Sequence, residues 1–223
     1  MHHFILLTED ISGKKMLDIL LPKLLPGGSG ATYEVKAYKG VGNIPPKGKA
    51  DPGTIRARQL LNNLERLLRG YGKTFSSIQE DYHVMIVVVC DLDKRDKAGF
   101  LGELNAILAA CNPAPATRFC LAIEEGEAWL LGDIPAIIKA YPGCNRQILA
   151  EYVNDSICGT WELLADALHK NGAAALKKDG FAAVGKAKSE WAEQISPHMD
   201  VVANKSPSFC HFRDTLRECL QGA

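Results

Sequence analysis

The sequence predicts an α/β protein with a four-stranded parallel sheet flanked by helices and a helical C-terminal half. Three observations carry this expectation. Short apolar runs alternate with amphipathic helical periodicities from the first residues to about residue 141, in the order β-α-β-α-β-α-β-α. The most apolar run, Val84-Met85-Ile86-Val87-Val88-Val89-Cys90, is β-branched and continuous, as a strand buried on both faces should be. From about Pro142 onward only helical periodicities remain.

Each element has its own signal. Phe4 to Thr8 reads as a short buried strand. Met16, Leu17, Leu20, Leu21 and Leu24 then form the apolar stripe of a helix that Pro26-Gly27-Gly28 ends. Tyr33 to Tyr38 alternates as a strand does. Gly40 to Gly53 is rich in Gly, Pro and Lys and reads as a long loop. Asp51 is placed to cap a helix with Pro52 at its first position, and Ile55, Leu60, Leu61, Leu64 and Leu68 give that helix its stripe. After the central strand, Phe100, Leu101, Leu104, Ile107, Leu108 and Cys111 mark another helix. Arg118 to Ile123 reads as the fourth strand, leading into a helix through Trp129 and Leu130. Beyond residue 142, helices are marked by Trp161, Leu164, Ala165 and Leu168, by Phe181, Val184, Trp191 and Ile195, and by Phe209, Phe212, Leu216 and Leu220. The expected division is residues 1–141 for the α/β domain and 142–223 for a helical region packed on it.

Composition narrows the classes. The 223 residues are 47% hydrophobic and 23% charged, which is globular composition. The 26 basic and 26 acidic side chains cancel, so nucleic-acid binding would need a local basic patch. No apolar run is long enough for a membrane span, and Met1-His2-His3-Phe4-Ile5 reads as a strand rather than as a signal peptide. Seven cysteines without C-x-x-C spacing are expected as free thiols in a reducing cytoplasm.

The chemistry gathers where strands end. Ligands of a parallel sheet bind beyond the carboxyl ends of its strands, near the point where strand order reverses. The first strand ends in Thr8-Glu9-Asp10, the third in Asp91-Leu92-Asp93, and the fourth in Glu124-Glu125-Gly126-Glu127. Such a concentration of anions calls for cations or protons, and Mg²⁺ (or Mn²⁺) is the natural hard cation for oxygen ligands. Alternate residues leaving a strand can face one direction, which favours the Asp91/Asp93 pair. Glu124 and Glu127 would share a helix face if both were helical. Asp10, Asp96 and Glu125 are expected as caps or surface residues.

These motifs resemble the TOPRIM domain shared by topoisomerases, DnaG-type primases and overcoming-lysogenization-defect nucleases. In that domain a glutamate ends the first strand and an Asp-x-Asp ends the third. The chain is further similar to a prokaryotic TOPRIM-like family with an E-x-E-A-W-x-L-x-D stretch, here Glu125 to Asp133, and a W-A-x-x-I…S-P-S-F stretch, here Trp191 to Ile195 and Ser206 to Phe209. The resemblance implies Mg²⁺-dependent phosphoryl transfer, often nucleic-acid cleavage, and work beside an ABC-type or DNA-repair-type ATPase in phage defence. By position, Glu9 takes the place of the TOPRIM glutamate, and Asp91 with Asp93 that of the metal-binding pair. TOPRIM sequences usually place Gly after the glutamate, where this chain has Asp10.

On this reading Glu9, Asp91, Asp93 and Glu127 would hold the metal on DNA or RNA phosphate. Glu9 would serve as general base or ligand. Candidates to position the phosphate backbone are Lys94, Arg95, Lys47, Lys49, Arg56 and Arg58. Lys188 fills the i+7 place of the Phe181–Ile195 stripe, so it is expected to point with the buried face and to reach the acidic cluster. Trp129 is expected to be structural, packed against the helical half. Two other classes remain open. One is a non-catalytic partner or regulatory module with a degenerate acidic site, and the other is a receiver-like phosphoacceptor.

Overall fold

The computed structural model describes residues 1–25, 27–40, 42–45, 59–77 and 82–221. Lys47, Lys49, Arg56, Arg58 and the expected helix start at Asp51 lie outside them. Strands β1 (His2–Thr8), β2 (Ala31–Ala37), β3 (His83–Asp91) and β4 (Thr117–Ala122) form one sheet in the order β2-β1-β3-β4. Every neighbouring pair is parallel. The chain steps outward from β1 to β2, then returns across β1 to β3 and β4. Strand order therefore reverses between β1 and β3.

Alternation along the strands splits the core in two. Phe4, Leu6, Val87, Val89, Cys120 and Ala122 join α1 (Ile11–Leu24) and the C-terminal helices on one face. Ile5, Leu7, Ile86, Val88, Cys90 and Leu121 join α2 (Leu60–Phe75) and α3 (Lys97–Ala109) on the other. A period of two along each strand makes this division automatic.

The helices begin where side chains cap them. Asp10 accepts a hydrogen bond from the Gly13 amide at 2.7 Å, and Asp96 one from the Gly99 amide at 2.7 Å. Both are caps, as expected. After β4 come α4 (Glu127–Leu131), α5 (Ile134–Ala140), α6 (Arg146–Ala150), α7 (Thr160–Leu168), α8 (Gly172–Lys178), α9 (Phe181–Ile195) and α10 (Pro207–Gln221). Helix α9 packs on α1, and α10 covers β4. The short α5, α6 and α8 carry too few turns for a periodicity to show in sequence.

Trp129 is fully buried, with its ring centroid 5.5 Å from that of Phe209 and 4.9 Å from that of Phe212. This is the expected packing on the helical half. Phe181 departs from expectation. The apolar period puts it in the buried stripe of α9, yet it is 98% exposed, while Ala187, Trp191, Ala192 and Ile195 are buried. The stripe is correct in direction, but the first turn of the helix extends beyond what it packs against.

The seven cysteines are free. Burial pushes the Cys90 thiol well above its ordinary range and the Cys120 thiol up to about 12, so both stay protonated and act as small apolar side chains. Among the described residues no helix is long and apolar enough to cross a membrane.

Candidate functional site

The reversal between β1 and β3 brings their carboxyl ends side by side. Thr8 pairs in register with Val89, so Glu9 leaves β1 beside Asp91, the last residue of β3. The Asp91 amide donates to Glu9 Oε2 at 3.4 Å, which brings the two carboxyl groups side by side. Burial, with the negative charges of Asp10 and Asp93, pushes Glu9 up to about 7 against the pull of its hydrogen bonds to Asp91. Burial and the Glu9 charge push Asp91 well above the usual carboxylate range.

Two distant elements complete the cluster. Glu127 opens α4 and is only 5% exposed. Lys188 arrives from α9, its Nζ 3.0 Å from Glu127 Oε2 and 3.4 Å from Glu125 Oε2. Burial disfavours the ammonium, but Glu127, Asp91 and Glu125 outweigh it and hold Lys188 well above the ordinary lysine value. Glu9, Asp91, Glu127 and Lys188 line one cavity of about 30 Å³, with the Gly13 end of α1 and Trp129 in its walls. That is room for one or two water-sized occupants.

Other expectations need correction. Glu125, expected as a cap or surface residue, pairs with Lys188, and burial pushes its carboxyl up to about 7 despite the pull of that cation. Glu124 is not helical and shares no helix face with Glu127. Its φ is +60°, and its carboxylate accepts hydrogen bonds from the amides of Cys158, Gly159 and Thr160 and from the Thr160 hydroxyl. It caps α7 and belongs to the fold.

Asp93 does not face the cavity as alternate residues on one strand would. The strand ends at Asp91, and Asp93 has φ +51°, its amide donating to the Glu124 carbonyl at 2.9 Å. That turn aims its carboxylate outward, 3.7 Å from Arg95 and 48% exposed, into a neighbouring depression beside Lys94. Among the described residues, no group of three or more His, Cys, Asp or Glu side chains is arranged to hold an ion. Arg95 lies over the Phe100 ring, 4.6 Å from its centroid, with Nη2 3.5 Å from the Gly42 carbonyl. It ties a loop to α3. Lys94 is exposed at the rim.

A buried polar lattice aims α4. Trp129 Nε1 donates to Ser208 Oγ at 3.0 Å, and Asn204 Nδ2 donates to the Trp129 carbonyl at 2.8 Å. Asp155 accepts from Ser206 Oγ at 2.7 Å and from the Ser208 amide at 2.6 Å. Asp133 caps α5 and accepts from the Asp200 amide at 2.7 Å. A Cβ on Gly132 would run into Asn204 Oδ1 and the Ser206 backbone, so glycine is required there. The two motif stretches, remote in sequence, thus meet and fix the direction of Glu127. Asp155 and Asn204 were not singled out in sequence. Their only signal is proximity to the S-P-S-F stretch and to the α7 approach.

In comparisons with protein-family models, curated proteins and solved structures, none matched the chain.

Proposed function

We propose that the chain carries out Mg²⁺- or Mn²⁺-dependent phosphoryl transfer on nucleic acid, cleaving the backbone by hydrolysis beside an ABC-type or DNA-repair-type ATPase in a defence setting. The observation that carries this reading is the meeting of Glu9, Asp91, Glu127 and Lys188 around one cavity at the reversal of strand order. The cytoplasm is its expected compartment. The ATPase and the defence setting rest on the TOPRIM resemblance alone.

The residues suit the cation. Glu9 and Asp91 are adjacent hard-oxygen donors, and Mg²⁺ is commonly held by one or two carboxylates with water and phosphate. Asp93, at the rim, would join them through water or after a turn of its side chain. When bound, the cation supplies Lewis acidity toward a phosphoryl oxygen and lowers the pKa of water.

The chain's own residues do the rest. Lys188 holds Glu127 at the cavity wall through its ion pair, and offers its ammonium to a phosphate oxygen as negative charge develops there. Glu9, pushed up to about 7 by burial, suits a general base, taking the proton of the attacking water on Oε2 or its partner oxygen. Lys94 at the rim holds a flanking phosphate.

One observation favours a second reading. The Lys188 ammonium already neutralises the carboxylates, as a resident cation would in a non-catalytic partner module. Incubating labelled DNA and RNA with Mg²⁺ or Mn²⁺, with and without the Asp91→Asn substitution, separates the two. Cleavage by the wild type that EDTA and Asp91→Asn abolish supports the enzyme. Equal activity in both proteins removes the acidic site from catalysis, and none in either with the ATPase added supports the module.

A further inference from the structure

We propose that the outer edge of β2 is a self-association surface, at which two copies of this chain pair antiparallel about Val35 and join their sheets. The inference stands apart from the chemistry of the acidic cavity.

The edge is regular and open. β2 ends the sheet, with β1 on one side of it only. The Tyr38 amide donates to the Thr8 carbonyl at 2.9 Å, and the His2 amide donates to the Gly30 carbonyl at 3.1 Å. Period two along the strand therefore turns the backbone of Thr32, Glu34 and Lys36 toward β1, and that of Ala31, Tyr33, Val35 and Ala37 outward. Among the described residues, no backbone group of those four has a hydrogen-bond partner on the outer side. The strand is seven residues long, pairs with β1 without a bulge, and holds neither proline nor glycine to blunt it. A row of free donors and acceptors of this length is a template for another strand.

Charge selects both the occupant and the register. A closed pair of identical copies has a twofold axis, which sets two equivalent edges antiparallel. Outward residues then face outward residues, so the register moves in steps of two. With Val35 opposite Val35 of the second copy, Glu34 faces Lys36 and Lys36 faces Glu34 across the axis. Both fall in the closer, non-hydrogen-bonded pairs, where side chains interact most. One step in either direction sets Glu34 against Glu34 or Lys36 against Lys36, which is unfavourable.

The side chains are already arranged for this. A lone lysine on an edge strand repels a second strand. Lys36 is instead held 3.2 Å from Glu34 Oε2, with its Nζ 3.3 Å from the Tyr71 hydroxyl, and both charges remain partly exposed. Repeated by the twofold axis, the pair becomes four charges of alternating sign. On the opposite face, the half-buried Tyr33 falls across from Ala37 of the second copy, a large side chain against a small one. The strands of the two copies run in opposite directions, so their acidic cavities open at opposite ends of the joined sheet.

Sedimentation equilibrium of the full chain over a range of concentrations tests the proposal. The wild type should reach twice the chain mass and dissociate on dilution. Glu34→Lys and Lys36→Glu each set like charges opposite one another twice, and each should weaken self-association about tenfold with its melting temperature unchanged. An equimolar mixture of the two variants should associate as the wild type does, since every like pair then becomes an opposite one. The double variant Glu34→Lys/Lys36→Glu exchanges the signs and should also associate. Amide exchange at Tyr33 and Val35 should slow with rising concentration in the wild type and not in Glu34→Lys. A wild type that stays monomeric at every concentration overturns the proposal and leaves the edge to a strand of another protein. A dimer that neither charge substitution weakens overturns it too, as does a mixture that associates no better than its components.

Discussion

The Lys188 ammonium lies 3.0 Å from a Glu127 carboxylate oxygen, tying α9 to the start of α4. Both side chains are largely buried, so the pair decides how four carboxylates coexist at the sheet edge. Lys188→Met leaves Glu127, Glu125 and Asp91 without their shared counter-charge. It should lower stability by about 3 kcal/mol at neutral pH, read from the urea midpoint. The loss should shrink on acidification, as the carboxyls take up protons. A midpoint unchanged at pH 7 would show the pair to be energetically idle.

Trp129 supports the same helix from behind. Trp129→Ala should cost about 3–5 kcal/mol, since it empties a fully buried site against Phe209 and Phe212. Trp129→Phe keeps most of the volume and loses the bond to Ser208, so roughly 1 kcal/mol is expected from that bond. Thermal unfolding of the two variants checks the order. Equal melting temperatures would remove Trp129 from its structural role.

Glu124 makes a pH-dependent contribution. Burial disfavours its charge, but the donors at the start of α7 outweigh burial and hold the carboxyl below its usual range. With the folded pKa below the unfolded one, the stabilisation is complete above the unfolded value and is lost as pH falls through the folded value. Glu124→Gln should therefore cost about 1–2 kcal/mol at pH 7, in the range of a lost cap. The difference from wild type should narrow below about pH 4. A gap that widens with acid would contradict the sign.

Asp93 calls for a chosen substitution. Its backbone is left-handed, so Asp93→Ala adds strain of roughly 1 kcal/mol to the loss of charge. Asp93→Asn keeps a residue that tolerates this conformation. It should leave the melting temperature within a degree or two and reduce Mg²⁺-dependent cleavage at least tenfold. Undiminished cleavage by Asp93→Asn would confine the metal to Glu9 and Asp91.

The strands were legible because their apolar runs are continuous and β-branched, and a parallel sheet orders its carboxyl ends without further information. Glu9 and Asp91 were placed together on that ground, and the register of Thr8 with Val89 puts them there. Lys188 was legible because one stripe lacked an apolar residue at the required interval. Glu125 was misjudged because its partner lies more than sixty residues away, on a helix whose contact with the loop no local pattern records. The direction of Asp93 is not legible from spacing, which assumes a continuing strand, while a left-handed residue turns the chain out of it. Phe181 fits the apolar period and is exposed, because periodicity gives direction around a helix and not how far the neighbouring elements extend. The Asp155–Ser206–Ser208–Trp129 lattice joins three separate segments, and no local pattern in any one of them shows that they meet.

On the proposed function, Glu9 and Asp91 together hold a divalent cation in the cleft. Titration of the full chain with Mn²⁺, followed by the electron paramagnetic resonance signal of the free ion, tests it most directly. The account predicts saturable binding by the wild type that Mg²⁺ competes away, and at least tenfold weaker binding in Asp91→Asn and in Glu9→Gln with both variants folded. Mn²⁺ binding that is absent in the wild type, or identical in all three proteins, would contradict it.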